Sequence, residues 1–150
     1  MFMKKVLIMS IITLTGCAGF ADENKNVAEK IAALNERQSI CVSQSDSDSD
    51  KRICSDSAAT EADLLLNQEY KRIIANLNQK TGDSFSDNRN TETLKRLVAA
   101  QKLWVQFRDA NATLAGAINF GGTLEIIESI EKEKEMTEAR VVELVKLFSN

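Results

Sequence analysis

The chain contains no histidine and no proline, and only six glycines in 150 residues. Each absence removes a class of answer. Without histidine there is no Ser–His or Cys–His pair and no histidine-ligated zinc, so the commonest general base and the commonest zinc ligand are both missing. Carboxylate-only catalysis stays open in principle, but no nucleophile–base pair, phosphate-cradling glycine loop or metal cluster supports it. The expectation is a non-enzyme with neither cofactor nor metal. Without proline, and with little glycine, long helices run uninterrupted.

What is present begins with an export signal. Lys4 and Lys5 precede the nine residues Val6 to Leu14, apolar apart from Ser10 and Thr13. That run suits a signal-peptide core and is too short to span a bilayer, which takes about 20 apolar residues. Its end reads in two ways. Leu14-Thr15-Gly16-Cys17 looks like a lipobox, which removes residues 1–16 and leaves Cys17 to carry a lipid. The alternative cut follows Ala21, with Gly19 and Ala21 as the small residues, and discards Cys17. The lipobox is the more specific match, and it makes residues 17–25 a tether and 26–150 a single domain. Ala18 carries no inner-membrane retention charge, so the expected location is the periplasm or the outer membrane, held there through the lipid.

The remaining chain, about 130 residues, is one domain's worth. Removing the two leader lysines takes the formal charge from −3 to −5. A mildly acidic domain argues against nucleic acid and suits a basic protein partner. Two further cysteines, Cys41 and Cys54, allow one intramolecular pairing, and in an oxidising compartment an even pair reads as a disulfide.

Apolar periodicity predicts an all-α domain, a small bundle of about four helices with one disulfide-closed loop near its N-terminal side. The first helix covers about 26–40, with Val27, Ile31 and Leu34 on one face. The second starts near Ser57 or Thr60 and runs to about Gln79. A polar break follows from Thr81 to Asn90, then a third helix capped by Thr91 and ending near Asn119, before Gly121-Gly122. The fourth covers about Leu124 to Phe148, with a joint expected near Met136-Thr137. The serine–aspartate tract Ser43 to Asp50 reads as a mobile, solvated loop. Asp46, Asp48 and Asp50 superficially resemble a calcium loop, but Lys51 stands where glycine is required and Ser57 where a bidentate glutamate belongs.

The third helix carries an unusual stripe: Leu94, Leu97, Val98, Gln101, Trp104, Val105, Arg108. Gln101 and Arg108 project among residues that should be buried, and a buried arginine needs a partner. Asp63, at the edge of the second helix's stripe near Leu66 and Tyr70, is one candidate; Asp109 is the other. A hydrogen-bonded clamp between helices is the expectation, with Trp104 and Phe107 both in the core.

These residues resemble the family named for the N-terminal domain of the lysozyme inhibitor LprI. The similarity runs through Cys41 and Lys51-Arg52-Ile53-Cys54, then Asp63, Leu66 and Tyr70, then Gln101, Trp104, Phe107, Arg108 and Asp109. It continues through Gly121-Gly122-Thr123 and closes on Thr137, Arg140, Glu143 and Leu144, covering about 38–148. Two cysteines usual in the family are missing here, near Ala112 and Lys132, as loss of one whole bridge would leave them. The resemblance implies an extracytoplasmic helical domain and, from its namesake, inhibition of lysozyme by protein–protein contact. Asp46, Asp48 and Asp50 are then the candidate residues for meeting a basic lysozyme-type partner. A scaffolding envelope lipoprotein and an immunity protein against a secreted toxin are the alternatives.

Overall fold

Four helices follow one another: α1 (Ala18–Ser43), α2 (Asp48–Leu77), α3 (Ser84–Ala117) and α4 (Thr123–Phe148). The structure is a computed structural model that describes residues 18–149, with side chains from Asn24 onward. Lys4, Lys5, the signal and Cys17 lie outside the described residues. Among those described there is no strand, and no helix is long and apolar enough to cross a membrane.

The all-α expectation holds, and the helix starts move earlier, while α2 and α3 each end two residues sooner than expected. α1 starts at Ala18, so residues 18–25 are helical. α2 starts at Asp48, well before the expected Ser57. Ser47 caps it: its Oγ accepts the Asp50 N–H at 3.1 Å and donates to the Asp50 carboxylate at 2.6 Å. Asp48 and Asp50 occupy the first turn, where carboxylates favour the positive end of the helix dipole. The serine–aspartate tract is therefore divided: Ser43 ends α1, residues 44–47 connect, and Asp48, Ser49 and Asp50 open α2. α3 likewise begins at Ser84, capped by Asp83, whose Oδ2 accepts the Ser86 N–H at 2.8 Å. That hydrogen bonding holds the Asp83 carboxyl below its usual range. α4 runs through Met136-Thr137 without a joint.

Successive helices are antiparallel. Cys41 bridges to Cys54, with 5.8 Å between their Cα atoms. Further along the same pair, Leu34 packs with Ala58 and Ala62. α4 is the helix on which the others converge. It packs along α2 and along α3, while α1 lies against both α2 and α4; α3 meets α2 only briefly, and no α1–α3 packing occurs among the described residues. α1 and α3 thus flank a parallel α2–α4 pair on opposite sides. The core is built on that pair: Leu65, Leu66 and Ile73 of α2 meet Val141, Leu144 and Val145 of α4, with Val27 and Leu97 closing it from the two flanks.

Near the α3–α4 turn the two helices approach very closely. A Cβ added at Gly116 would stand 2.5 Å from the backbone oxygen of Glu125 and 3.3 Å from Ser129 Cβ. Backbone cannot yield as a side-chain tip can, so Gly116→Ala forces the helices apart. The expected cost is about 1–3 kcal/mol, read as a lowered midpoint in urea unfolding; an unchanged midpoint would contradict the contact.

Candidate functional site

Two polar regions stand out, one inside the bundle and one at its end. The first centres on Arg108, which is only 8% exposed. Its Nη1 donates to Asp63 Oδ1 on α2 at 2.7 Å and to Thr137 Oγ1 on α4 at 3.2 Å. Its Nε donates to Asp109 Oδ1 at 3.0 Å, and its Nη2 lies 3.2 Å from Glu133 Oε1. Both candidate partners from the sequence are engaged, together with two α4 groups that the stripe reading missed. Burial pulls the guanidinium's pKa down, but the hydrogen bond to Asp109 and the charges of Asp63 and Glu133 more than offset it, leaving it above its ordinary value.

Trp104 sits between two arginines, with Arg108 at 5.4 Å and Arg140 at 5.6 Å from its ring centroid. Arg140, itself buried, donates to Gln101 Oε1 at 3.1 Å and to Glu143 Oε2 at 2.7 Å. Gln101, Trp104, Arg108, Asp109 and Asp63 therefore meet in one network that ties α2 and α3 to α4. Tyr70 is not in it; it packs against the main apolar core. Phe107 is not in the core at all but points outward, 61% exposed. The missed residue Arg140 did have a sequence signal, since it lies between Thr137 and Leu144 on the apolar face of α4.

A second polar seam joins α1, α2 and α4. Ser55 donates to Glu131 Oε1 at 2.6 Å, and Gln38 donates to the same oxygen. Asn35 donates to Glu138 Oε2 at 3.3 Å, while Lys134 pairs with Glu138 at 3.2 Å. Every ionic group in these two networks is occupied by a neighbour, so their role is to fix how the helices meet.

The end of the bundle is different. Alternating helix directions bring the α1–α2 connection and the α3–α4 turn to the same end. Asp48 shares a shallow depression there with Ile118, Phe120 and Leu124. Gly121, with φ of 83°, makes the turn in a left-handed conformation that favours glycine, and its N–H donates to Glu125 Oε2 at 2.7 Å. The turn leaves Phe120 86% exposed. Beside it a second depression is lined by Ile40, Asp46, Asp50, Ile53 and the disulfide. Asp48 is paired with Lys51 at 3.1 Å, while Asp46 and Asp50 have no cationic partner among the described residues. The end therefore presents carboxylates and bare apolar side chains together. Among the described residues no group of three or more His, Cys, Asp or Glu is placed to hold a metal ion.

The family described as "Lysozyme inhibitor LprI" matches residues 41–144, from the first bridge cysteine to the buried Leu144 of α4. An uncharacterized protein of Rhizobium meliloti (strain 1021) is 31% identical over 104 residues, covering 67% of this chain and 73% of that protein. No solved structure matches. With most of the helical domain, both bridge cysteines and the Arg108 network inside the matched span, the chain belongs to the LprI lysozyme inhibitor family.

Proposed function

We propose that this protein is an exported envelope protein that binds a lysozyme-type muramidase through the end of its helical bundle and thereby inhibits it. Family membership supports the class of partner. The observation that carries the choice of surface is the placement of Asp48 beside the exposed Phe120 and Leu124, with Asp46 and Asp50 beside the exposed Ile40 and Ile53. Lysozymes of the basic type are drawn to negative charge, and the apolar side chains give the encounter something to bury once it has formed. The Cys41–Cys54 bridge supports export, because disulfides persist in oxidising compartments.

Cys17 completes the proposal as a lipid anchor. α1 begins one residue later, at the end of the bundle opposite the acidic surface, and its 26 residues span about 39 Å. An anchored molecule then presents its binding end away from the membrane. Mass spectrometry of the native N-terminus is expected to find a diacylglyceryl Cys17; a free Asp22 would refute the anchor.

Purified protein is expected to slow lysozyme digestion of bacterial walls. Replacing Asp46, Asp48 and Asp50 together with serine should slow association by about tenfold at low salt and flatten its salt dependence. Phe120→Ser should act mainly on dissociation, because it removes buried contact rather than steering. If a micromolar excess of the wild-type protein leaves wall digestion unchanged, inhibition of lysozyme is not its function.

A further inference from the structure

The outer face of α3 carries a second surface that the core leaves unused and that meets the bundle end only at Ile118. Ala100, Leu103, Phe107, Ala110, Leu114 and Ile118 follow one another in steps of three or four residues, and all are exposed. Leu103 and Leu114 are each 68% exposed and Ile118 85%. The charged residues of this stretch, Lys102, Arg108 and Asp109, lie off the stripe: Arg108 is turned into the bundle, and the other two fall on the far flank of the helix. α3 is thus apolar on two faces, one spent on α4 and one left bare. Single exposed leucines are ordinary, but a continuous, charge-free stripe about 27 Å long is a contact surface.

We propose that this stripe is the interface of a homodimer, in which α3 of one copy packs antiparallel against α3 of a second. The large side chains are placed symmetrically about the point between Ala110 and Asn111. A two-fold axis there sets Leu103 opposite the partner's Ile118 and Phe107 opposite the partner's Leu114. Small Ala110 lies at the crossing, where it lets the helices approach. This is the self-complementarity that a two-fold interface demands. A parallel arrangement would instead stack exposed Arg96 on Arg96, because Arg96 continues the same stripe towards the helix N-terminus. The exposed side chains offer about 600–700 Å² per copy, close to the roughly 800 Å² that each partner contributes to a standard stable interface. A basic lysozyme finds no complementary charge here, which separates this stripe from the acidic end of the bundle.

Sedimentation equilibrium of the full exported chain, over about 1–100 μM, should show a concentration-dependent dimer. Phe107→Glu and Leu114→Glu each weaken it by about tenfold or more, with unchanged helical circular dichroism, because both sites are on the surface. Replacing Asp46, Asp48 and Asp50 leaves the dimer intact, which keeps this result distinct from the fate of the lysozyme reading. In a Cys17→Ser background, the Leu103→Cys/Ile118→Cys double variant should oxidise to a covalent dimer. Leu103→Cys alone should not, since its two copies would lie about 20 Å apart. A monomer at the highest concentration overturns the proposal. So does a dimer indifferent to both glutamate variants, a stripe whose variants abolish muramidase binding instead, or efficient cross-linking by Leu103→Cys alone.

Discussion

Arg108→Met is expected to lower the stability of the protein by about 3 kcal/mol, a fall of roughly 10 °C in Tm for a domain of this size. The guanidinium is buried, while its carboxylate partners Asp63, Asp109 and Glu133 all keep partial access to water. Removing the arginine therefore strands no fully buried anion, and the cost falls short of the worst cases of a broken buried pair. What is lost is the set of hydrogen bonds that joins α2 to α4 through α3, and one of the two cations stacked on Trp104. Arg108→Lys should recover about half of the loss, since a lysine restores the charge but not the planar fork. A double-mutant cycle between Arg108 and Asp63 should give a coupling of only about 1 kcal/mol, as Asp63 is partly solvated. Equilibrium urea unfolding measures all of these. A loss below about 1 kcal/mol for Arg108→Met would show that the network is ornamental to the fold.

The second large effect lies at the other polar feature. Opening the Cys41–Cys54 bridge should cost about 3 kcal/mol, because a loop closed by residues 13 apart in sequence is released in the unfolded chain. Melting curves with and without reductant should therefore separate by roughly 10 °C, whereas a Cys41→Ala/Cys54→Ala variant should melt low and ignore reductant. The helical signal of the reduced protein should survive at low temperature, since α2 remains packed on α4 through Leu65, Leu66 and Ile73. A reductant shift below about 2 °C would contradict the bridge as a stabilising element. On the proposed function, the reduced protein should also slow wall digestion by lysozyme less, because the α1–α2 connection that carries Asp46 is held between the two cysteines.

The four helices were legible because each has an apolar stripe on one face, and the need of Arg108 for Asp63 or Asp109 followed from charge burial alone. The boundaries were not. Serine and aspartate at 43–50 and 83–87 look like loop formers, yet Ser47 and Asp83 are caps, and the carboxylates after each cap sit in the first turn. The same residue types favour loops and helix starts for one reason, their ability to bond nearby backbone, so composition could not separate the two. Phe107 failed differently. α3 is apolar on two faces, and periodicity reports that a stripe exists without reporting which stripe meets the core. Arg140 was visible in the family pattern and on the apolar face of α4, but its place beside Trp104 needed the three-dimensional pairing of α3 with α4.

The convergence of the other helices on α4 also dictates when the molecule can form. Val141, Leu144 and Val145, which complete the core, and Glu133, Thr137 and Arg140, which complete the polar network, all belong to α4, which follows the other three helices in the chain. Until residues 123–148 are available, α1, α2 and α3 have each other's edges but no common surface to close on. Without α4 neither the apolar core nor the polar network closes, so folding is concerted around that helix.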